Sequence, residues 1–403
     1  KIRDPINKKR LIEKLTKIDK IDLFPTRKGF LDIFSSEESK KIASYKLDVL
    51  IRHEFDIIRG EILNSTKHGI WSFHHGDNRI NRGGPSCFWE ILLNQKNVGV
   101  TLQKLTPELD GGFVIDRGYY NRHWSWIKTR NIVFESSVEL IKKNLKLLIN
   151  DEIKLEKPSL YYYELYKHPG LSQVLKYLST FFKNFFNKIF KKIKYKLFSK
   201  RDLCWALIIS KGNFSSSILF RLNPIIPPKN QFWADPFIFN HQKKDFVFFE
   251  NYSYKNKKGK ISCGIIEGDN LVDIEDVLIR DYHLSYPFII KEDNNIFMIP
   301  ETSENKRLEV YKCISFPNSW ELYSTAFEGE LIIDCTIFQD KHKKKWMFLN
   351  KKTVNSDGCS DLFIYKIDNL KLKNIIPHSK NPVITDSNRG RNAGPVYEEG
   401  GQY

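Results

Sequence analysis

The sequence has few of the residues from which metal sites and disulfide frameworks are built. Its 403 residues include six cysteines, which are scattered along the chain without a C-x-x-C pair. Zinc sites and disulfide-rich small domains depend on closely spaced cysteines, so we expect neither a metal site nor a disulfide framework. Unpaired cysteines are typical of proteins from reducing compartments, and we therefore predict a cytoplasmic location.

The sequence also lacks a recognisable secretory signal, because no apolar stretch follows its basic start. The first residue is Lys1 rather than methionine, and the last four residues read as a turn that enters a strand. From these two ends we expect the chain to be a fragment of a longer protein.

Basic residues outnumber acidic ones. The 65 lysines and arginines exceed the 48 acids and give a formal net charge of +17. This balance favours an anionic partner, although lysines in solvated loops produce the same balance. No nucleic-acid recognition motif accompanies the charge, so we expect no specific nucleic-acid partner. A hydrophobic content of 41% and an aromatic content of 14% exclude wholesale disorder, and the length permits two domains.

The most informative stretch of the first half places a histidine and an aspartate after two predicted strands. Residues 69–73 read as a buried strand with His74 at its carboxyl end. Residues 98–102 read as a later strand, and Asp110 follows in a glycine-rich turn. Ligands of open α/β sheets bind beyond the carboxyl ends of the strands. His74 and Asp110 are therefore a candidate proton-handling pair.

These residues resemble the catalytic domain of the folate-dependent formyltransferases, which act on methionyl-tRNA, glycinamide ribonucleotide and sugar nucleotides. That family has a strand ending in Asn-x-His, then a loop ending in Arg-Gly and Pro, and later a Leu-Asp-x-Gly turn. Residues 45–120 present similar motifs in the same order. The resemblance implies that Ser72, His74 and Asp110 are catalytic.

The same resemblance concerns the cofactor and the domain. It implies that Arg82 and Gly83 bind 10-formyltetrahydrofolate, and that residues 1–150 form a Rossmann-type, formyltransferase-like α/β domain that lacks its first strands. Formyl transfer places negative charge on the formyl oxygen, which positioned hydrogen-bond donors stabilise. Ser72 stands where the family has asparagine, whose amide reaches further than a hydroxyl, so a retired or repurposed site is an alternative.

Two other interpretations of this stretch stay open. His74 can be a structural histidine and Asp110 a turn-forming residue, in which case neither takes part in chemistry. A metal ion shared by His74 and His75 is less favoured, because adjacent strand residues point to opposite faces of a sheet.

Residues 173–201 are the most biased segment, because nine basic residues occur there without a single acid. Apolar residues recur at three- and four-residue intervals, which predicts an amphipathic helix with a wide apolar stripe. Lysines this frequent argue against a membrane span, since each costs about 2.5–3.5 kcal/mol at the bilayer centre. We expect a linker, 151–202, whose helix lies on the anionic inner face of a membrane. The alternative is a helix that buries its phenylalanine face between domains.

The second half contains an internal repeat. Segments 234–239, 285–290 and 333–338 each begin a pair of strand-like runs, and a fourth opening occurs at 392–397. Equivalent positions are separated by 51, 49 and 59 residues. A period of about 50 with several strands per unit is the signature of propeller blades. Residues 203–403 are therefore predicted to form an all-β propeller that is incomplete at its C-terminal end.

The repeat aligns carboxylates on neighbouring strands. The first strands open at Asp235, Tyr286 and Asp334, and the matching places on the second strands hold Glu250, Glu301 and Asn350. These segments resemble the five-bladed propellers of arabinanase- and fructosidase-like glycosidases. They resemble more closely the N-terminal domain of the glucosamine inositolphosphorylceramide transferase family.

The glycosidase resemblance implies catalytic roles for two acids of the first strands, Asp235 and Asp334. The general acid of those enzymes is a glutamate of the fourth blade, which is absent here, and Glu301 is the candidate substitute. The alternative is that Asp235 only starts a turn, since Asp-Pro is a common turn former.

Three functions follow from these observations. The first is an enzyme of surface-glycan biosynthesis that transfers a formyl group from 10-formyltetrahydrofolate to an amino sugar, with a sugar nucleotide or glycan as substrate. The second is a glycosyl transferase or hydrolase in which only the propeller is active and the α/β domain is a scaffold. The third is a non-catalytic adaptor that binds a glycan, or an anionic membrane surface through residues 173–201.

Overall fold

The computed structural model describes residues 18–109, 111–158, 160–163, 165–198, 205–212, 222–352 and 356–397. Contacts within the chain separate two compact units. The first comprises the described residues within Lys1–Phe73, Leu102–Val114 and Leu155–Ser159, and the second those within His74–Thr101, Ile115–Lys154 and Leu160–Tyr403. The predicted catalytic residue Asp110 lies outside the described residues.

The first half of the chain alternates short strands with helices. In chain order its elements are β1 (Thr26–Lys28), β2 (Leu31–Ile33), α1 (Ser36–Ser44), β3 (Leu50–Ile51), β4 (Ile57–Arg59), β5 (Ile70–His74), α2 (Phe88–Leu92), β6 (Asn97–Lys104), β7 (Phe113–Asn121), α3 (Trp126–Ser136), α4 (Val138–Ile149) and α5 (Leu171–Phe198). One sheet has the order β1-β2-β4 and another the order β3-β5-β6-β7. Strand β2 pairs in parallel with β4, and β3 with β5. The expected α/β character is confirmed, and β5 and β6 lie where the strand patterns predicted them.

A small apolar core fixes strand β5. Its first residues, Ile70 and Trp71, are fully buried, and Ile70 belongs to an apolar cluster that includes Ile42 of helix α1. Helix α1 begins at a capping box, in which Glu38 N donates to Ser35 Oγ and Ser35 N donates to the Glu38 carboxylate. A cap of this kind typically stabilises a helix start by about 1 kcal/mol. The cluster therefore holds the strand that carries the predicted catalytic serine and histidine.

From residue 205 onward the described chain is dominated by β-structure. Its strands are β8 (Leu207–Ile208), β9 (Pro224–Ile225), β10 (Gln231–His241), β11 (Lys244–Ser253), β12 (Lys258–Glu267), β13 (Asn270–Leu278), β14 (Ser285–Glu292), β15 (Asn295–Glu301), β16 (Leu308–Ser315), β17 (Ser319–Ala326), β18 (Leu331–Gln339), β19 (Lys345–Lys352), β20 (Asp361–Ile367), β21 (Ile375–Pro377) and β22 (Ile384–Thr385). Three sheets follow one another, with the orders β10-β11-β12-β13, β14-β15-β16-β17 and β18-β19-β20-β21, and β22 pairs with β20. Each of the first three sequence repeats thus folds as one antiparallel sheet in which successive strands pair.

The first strand of each sheet carries the same backbone irregularity. Asp235, Tyr286 and Asp334 have positive φ angles of 51°, 47° and 49°. At each of these positions the pairing of the first strand with the second shifts register, which marks a β-bulge. Non-glycine residues in this left-handed region are uncommon, and a bulge changes the direction of the side chains beside it. The three aligned openings therefore share one backbone geometry.

The structure differs from the prediction in the fourth repeat. Residues 391–397 contain no strand, although their sequence predicts the opening strand of a further blade. The Asn392 side chain instead donates to the main-chain oxygens of Asp334, at 2.6 Å, and Phe348, at 3.2 Å. Side-chain contacts with the third sheet thus replace the ladder of a new strand. The sheets of the described residues form no closed ring, and a five-bladed propeller is not shown.

Helix α5 confirms the predicted helix over its described length, while residues 199–201 lie outside the described part. In its first half Tyr177 packs against Phe88 of α2, and Phe181 against Trp124. Farther along, Phe186 is 50% exposed and other phenylalanines of the stripe are similarly open. None of the helices in the described ranges is both long and apolar enough to cross a membrane.

Residues 115–121 of strand β7 and the third sheet belong to the same compact unit. Ser387 N donates to Tyr119 O at 2.8 Å, and Asn121 N donates to the Asp357 carboxylate at 3.3 Å. These bonds join an element of the α/β half to the β-rich half. The predicted domain ranges 1–150, 151–202 and 203–403 stay a prediction.

Candidate functional site

Four carboxyl groups lie where the first two strands of the three sheets come together. Strand β10 contacts β14, and β14 contacts β18, so the first strands are neighbours. The pairing sets Glu250 opposite Ala234 and Glu301 opposite Ser285, in both cases directly before the bulge of the first strand. The four groups affect one another's ionisation, and we call them the acid cluster: Asp235, Glu250, Glu301 and Asp334.

Within the acid cluster, Glu301 and Asp334 form a carboxyl pair. Asp334 is 2% exposed, and its Oδ2 accepts a hydrogen bond from Arg391 Nε. No N–H or hydroxyl group of the described residues donates to its buried Oδ1. Burial, followed by the negative charge of Asp334, raises the pKa of Glu301, whose carboxyl is hydrogen-bonded to Asp334. Two carboxylates in contact resist ionising together, so this contact favours a proton shared by the pair.

Glu250 is a further buried carboxyl of the acid cluster whose pKa is raised. Burial, followed by the charges of the other three acids, raises its pKa to about 8. His283 Nε2 lies 3.5 Å from Glu250 Oε1. The Nδ1 of His283 accepts a hydrogen bond from Gly259 N at 2.8 Å, so Nε2 carries the ring proton. Burial also lowers the pKa of His283, so the surroundings favour the neutral form of both side chains.

Arg391 brings a positive charge to the acid cluster through its contact with Asp334. Asn350 positions the segment that carries this arginine. Its Nδ2 donates to Gly390 O at 2.6 Å, and its Oδ1 accepts from Asn392 N at 3.3 Å. The aligned position of the third repeat thus holds an amide with a positioning task, where the first two repeats have glutamates.

The structure brings together three of the predicted catalytic residues, Asp235, Glu301 and Asp334. Burial and then the charge of Asp334 raise the pKa of Asp235, so the two groups lie within electrostatic reach. The predicted catalytic set did not include Glu250 or Arg391. The repeat alignment already placed Glu250 at the position equivalent to Glu301, whereas the arginine comes from an irregular segment without a recognisable pattern.

The serine and histidine of strand β5 are buried and engaged by neighbouring groups. Arg52 Nη1 donates to Ser72 Oγ at 3.1 Å. His74 Nε2 donates to the main-chain oxygen of Asn81 at 2.6 Å, since a carbonyl oxygen can only accept. Asn81 Nδ2 donates in turn to Glu90 at 2.7 Å, and burial raises the pKa of Glu90. The predicted pairing of the histidine with an aspartate stays a prediction, because that aspartate lies outside the described residues.

The loop assigned to the cofactor is covered by the tyrosine-rich connector between α4 and α5. Tyr166 N donates to Arg82 O at 2.9 Å, and Gly84 N donates to Tyr166 O at 3.1 Å. The Arg82 guanidinium lies 4.5 Å from the centre of the Tyr161 ring. Gly83 has a φ of 94°, and a Cβ there would lie 2.1 Å from Tyr166 O. The connector thus holds the main chain on both sides of Gly83, and the cofactor-binding roles of Arg82 and Gly83 stay a prediction.

The second half of the chain is similar in sequence to a transferase family. Residues 226–402 match the family model described as glucosamine inositolphosphorylceramide transferase 1, N-terminal. A protein of that name from Oryza sativa subsp. indica is 29% identical over 200 residues, which cover 46% of this chain and 26% of the relative. The chain therefore spans about a quarter of the length of such curated relatives.

A second similarity is to formyltransferases. The methionyl-tRNA formyltransferase of Bacillus subtilis (strain 168) is 30% identical over 83 residues, which cover 20% of this chain and 26% of that protein. The solved structure of a 4-N formyltransferase from Francisella tularensis gives a TM-score of 0.30 at 18% identity, over 43% of this chain and 72% of that one. The sequence match agrees with the formyltransferase resemblance, whereas a TM-score this low carries no argument about function.

Proposed function

We propose that this chain is a carbohydrate-active protein whose acid cluster performs acid–base chemistry on a glycan or a sugar nucleotide. The observation that carries the proposal is the contact between the buried carboxyl groups of Glu301 and Asp334, within a cluster of four acids at neighbouring strands. Carboxyl groups whose surroundings push their pKa values apart supply an acid and a base at the same pH. The similarity to transferases named for glucosamine and inositolphosphorylceramide supports a substrate of this class.

The surroundings give each acid a role in this proposal. Glu301 donates the shared proton to the oxygen of the departing group, while Asp334, oriented by Arg391, carries the negative charge of the pair. Asp235, on the first strand of another sheet, is the candidate base or nucleophile. Glu250, protonated at neutral pH, donates a hydrogen bond to a sugar hydroxyl.

We also propose that the three sheets are blades of a five-bladed, glycosidase-like propeller. Their neighbouring first strands and their repeated bulges support this arrangement. Propeller blades surround a central channel, and the acid cluster would then line it. A crystal structure in which these sheets form an open stack would contradict the arrangement.

The experiment for the acid cluster is a screen of the whole chain against sugar nucleotides and glycan acceptors. It compares the wild type with Glu301→Gln, Asp235→Asn and the control Glu321→Gln, which removes the charge of an exposed glutamate on β17. We expect the control to keep turnover and the other two variants to lose it by at least about 100-fold. Full turnover in both variants would reject the proposal.

For the α/β half, formyl transfer to an amino sugar is the second candidate function. The similarity to the Bacillus methionyl-tRNA formyltransferase supports it, as does the buried histidine at the end of β5. Calorimetric titration of tetrahydrofolate into the whole chain tests the candidate. Saturable binding that His74→Ala weakens would support it, and absence of binding would remove it.

A membrane role for α5 is the third proposal, with the chain peripheral on the cytoplasmic face. Phe182, Phe186 and Phe190 are exposed, and the lysines of this helix are not accompanied by an acid. Basic residues near an anionic leaflet contribute about 1 kcal/mol each. Flotation with vesicles of phosphatidylcholine and phosphatidylserine should be lost when the three phenylalanines are changed to serine. Equal flotation of wild type and variant would exclude this role.

A further inference from the structure

A cavity of about 450 Å³ lies beside the first half of helix α5, where α2 ends and β6 begins. Its walls include Lys96, Arg122, Trp124, Tyr177, Phe181 and Asn184. The volume is in the range of small-molecule sites, roughly 300–1,000 Å³. None of these residues belongs to the acid cluster or to the predicted formyltransferase site.

The charged side chains that line the cavity are positive. Lys96 and Arg122 contribute to the walls, and no acid is among the described residues that line it. Arg122 donates from Nε to Gln95 O and from Nη2 to Asn94 Oδ1, and both acceptors are neutral. These contacts orient the guanidinium, and no acid of the described residues forms an ion pair with it.

The positive potential extends to the residue between Arg122 and Trp124. Burial, followed by the charges of Lys128 and Lys188, lowers the pKa of His123. Its Nδ1 accepts a hydrogen bond from Ser125 N at 3.0 Å, which suits the neutral ring. The lysines of α3 and α5 therefore reinforce the two cations of the cavity wall.

Aromatic rings form another part of the cavity wall. Trp124 and Phe181 lie 4.7 Å apart between ring centres, at an angle of 55°. Tyr177 packs against Phe88 at 5.6 Å, and its hydroxyl accepts a hydrogen bond from Trp126 N at 3.1 Å. These contacts fix the wall in advance, and aromatic faces of this kind pack against sugar rings, bases or hydrocarbon.

We propose that this cavity binds a small phosphate-bearing ligand, with its phosphate at Lys96 and Arg122 and its ring or hydrocarbon portion against Trp124 and Phe181. Lysine and arginine hold phosphate through charge-assisted hydrogen bonds, and these are stronger where water is partly excluded. Such a phosphate comes either from a soluble nucleotide or sugar phosphate, or from the headgroup of an anionic lipid. Both kinds of ligand present a phosphate group to the cavity, so each is tested with its own probe.

The test uses the whole chain and two probes. Uridine diphosphate is titrated by calorimetry, and vesicles of phosphatidylcholine with phosphatidic acid are tested by co-sedimentation. Thr180→Glu adds an acid at the cavity, at an exposed helix position whose own hydrogen bond is to Lys176 O. Thr180→Gln is the matched neutral control. Lys96→Gln removes a cation of the wall, and Lys291→Gln removes an exposed one on β14.

Saturable binding of either probe should fall about tenfold in Thr180→Glu, which corresponds to about 1.4 kcal/mol, and should be weakened in Lys96→Gln. The two control variants should bind like the wild type. The probe that shows this pattern identifies the source of the phosphate. The proposal is overturned if the wild type binds neither probe, or if Thr180→Glu and Lys96→Gln bind as tightly as their controls. Because Thr180 and Lys96 lie outside the acid cluster, loss of turnover in the acid-cluster variants leaves this binding test unaffected, and the two failures are distinguishable.

Discussion

The acid cluster and the histidine site at the end of β5 both bury polar side chains, but those side chains are satisfied differently. At the histidine site, Arg52 binds Ser72, the main chain of Asn81 binds His74, and the connector covers the cofactor loop. In the acid cluster, the carboxyl groups of Glu301 and Asp334 are in contact, and the charge of Asp334 raises the pKa of Glu301.

The comparison separates what folding alone requires from what chemistry requires. A buried histidine that donates to a main-chain oxygen is a satisfied group, and a core needs nothing further from it. Buried acids that raise one another's pKa destabilise the fold, and such groups concentrate at functional sites. The acid cluster is therefore the better supported of the two sites.

Breaking the carboxyl pair should have the largest effect. Asp334→Asn removes the carboxylate that contacts both Arg391 and Glu301. Turnover of a sugar substrate should therefore fall about 100- to 10,000-fold. Unfolding in denaturant should show that the free energy of unfolding falls by roughly 1–3 kcal/mol. This is less than the cost of breaking a fully buried ion pair, because Arg391 is half exposed. Asp293→Asn, at an exposed turn, is the control. Equal turnover in both variants would make the pair dispensable.

The next largest effect should come from the connector. Gly83→Ala puts a Cβ against Tyr166 O at a φ of 94°, and should lower the free energy of unfolding by roughly 2–4 kcal/mol. Gly84→Ala is a neighbouring control, because a Cβ there has no atom within 4 Å. Limited proteolysis should cut the connector faster only in the first variant. Equal stability of the two variants would show that the connector does not hold this loop.

An effect that grows with pH should appear in the stability of the fold. Folding raises the pKa of Glu250 from about 4.5 to about 8, so the folded state retains a proton that the unfolded chain releases. Its stabilising contribution is complete below pH 4.5 and is lost as the pH rises towards 8, by at most about 1.4 kcal/mol per pH unit. Glu250→Gln should match the wild-type melting temperature near pH 4.5 and exceed it near pH 8. Parallel pH curves for both proteins would contradict the raised pKa.

The smallest effect should come from a substitution at the histidine site. His74→Gln should change sugar turnover less than twofold, because this side chain is held by Asn81 and lies outside the acid cluster. Steady-state kinetics on the same substrate provides the measurement. A loss as large as that of the acid-cluster variants would show that both sites serve one reaction.

The repeats could be predicted because strand pairs of similar length recur along the chain. Their openings align at Asp235 and Asp334, and the bulges confirm that this alignment is structural. Arg391 could not be predicted, since side-chain contacts with Asn350 hold its segment and leave no periodic pattern.

Strand β7 could not be predicted for a different reason. Asp116 and Arg117 interrupt its apolar pattern, and their partners become evident only in the fold. Lys143 Nζ lies 2.8 Å from the Asp116 carboxylate. The connector over Arg82 was likewise invisible, because main-chain hydrogen bonds to Tyr166 carry no signal in the sequence.

The infrared band of protonated carboxyl groups tests the shared proton most directly. Difference spectra of the wild type against Glu301→Gln, recorded at neutral pH, isolate the contribution of this pair from other buried acids. We predict a protonated carboxyl signal that is lost in Glu301→Gln and that disappears from the wild type only above neutral pH. Identical carboxyl bands in the two proteins at neutral pH would show that Glu301 and Asp334 hold no proton, and would contradict the proposed chemistry of the acid cluster.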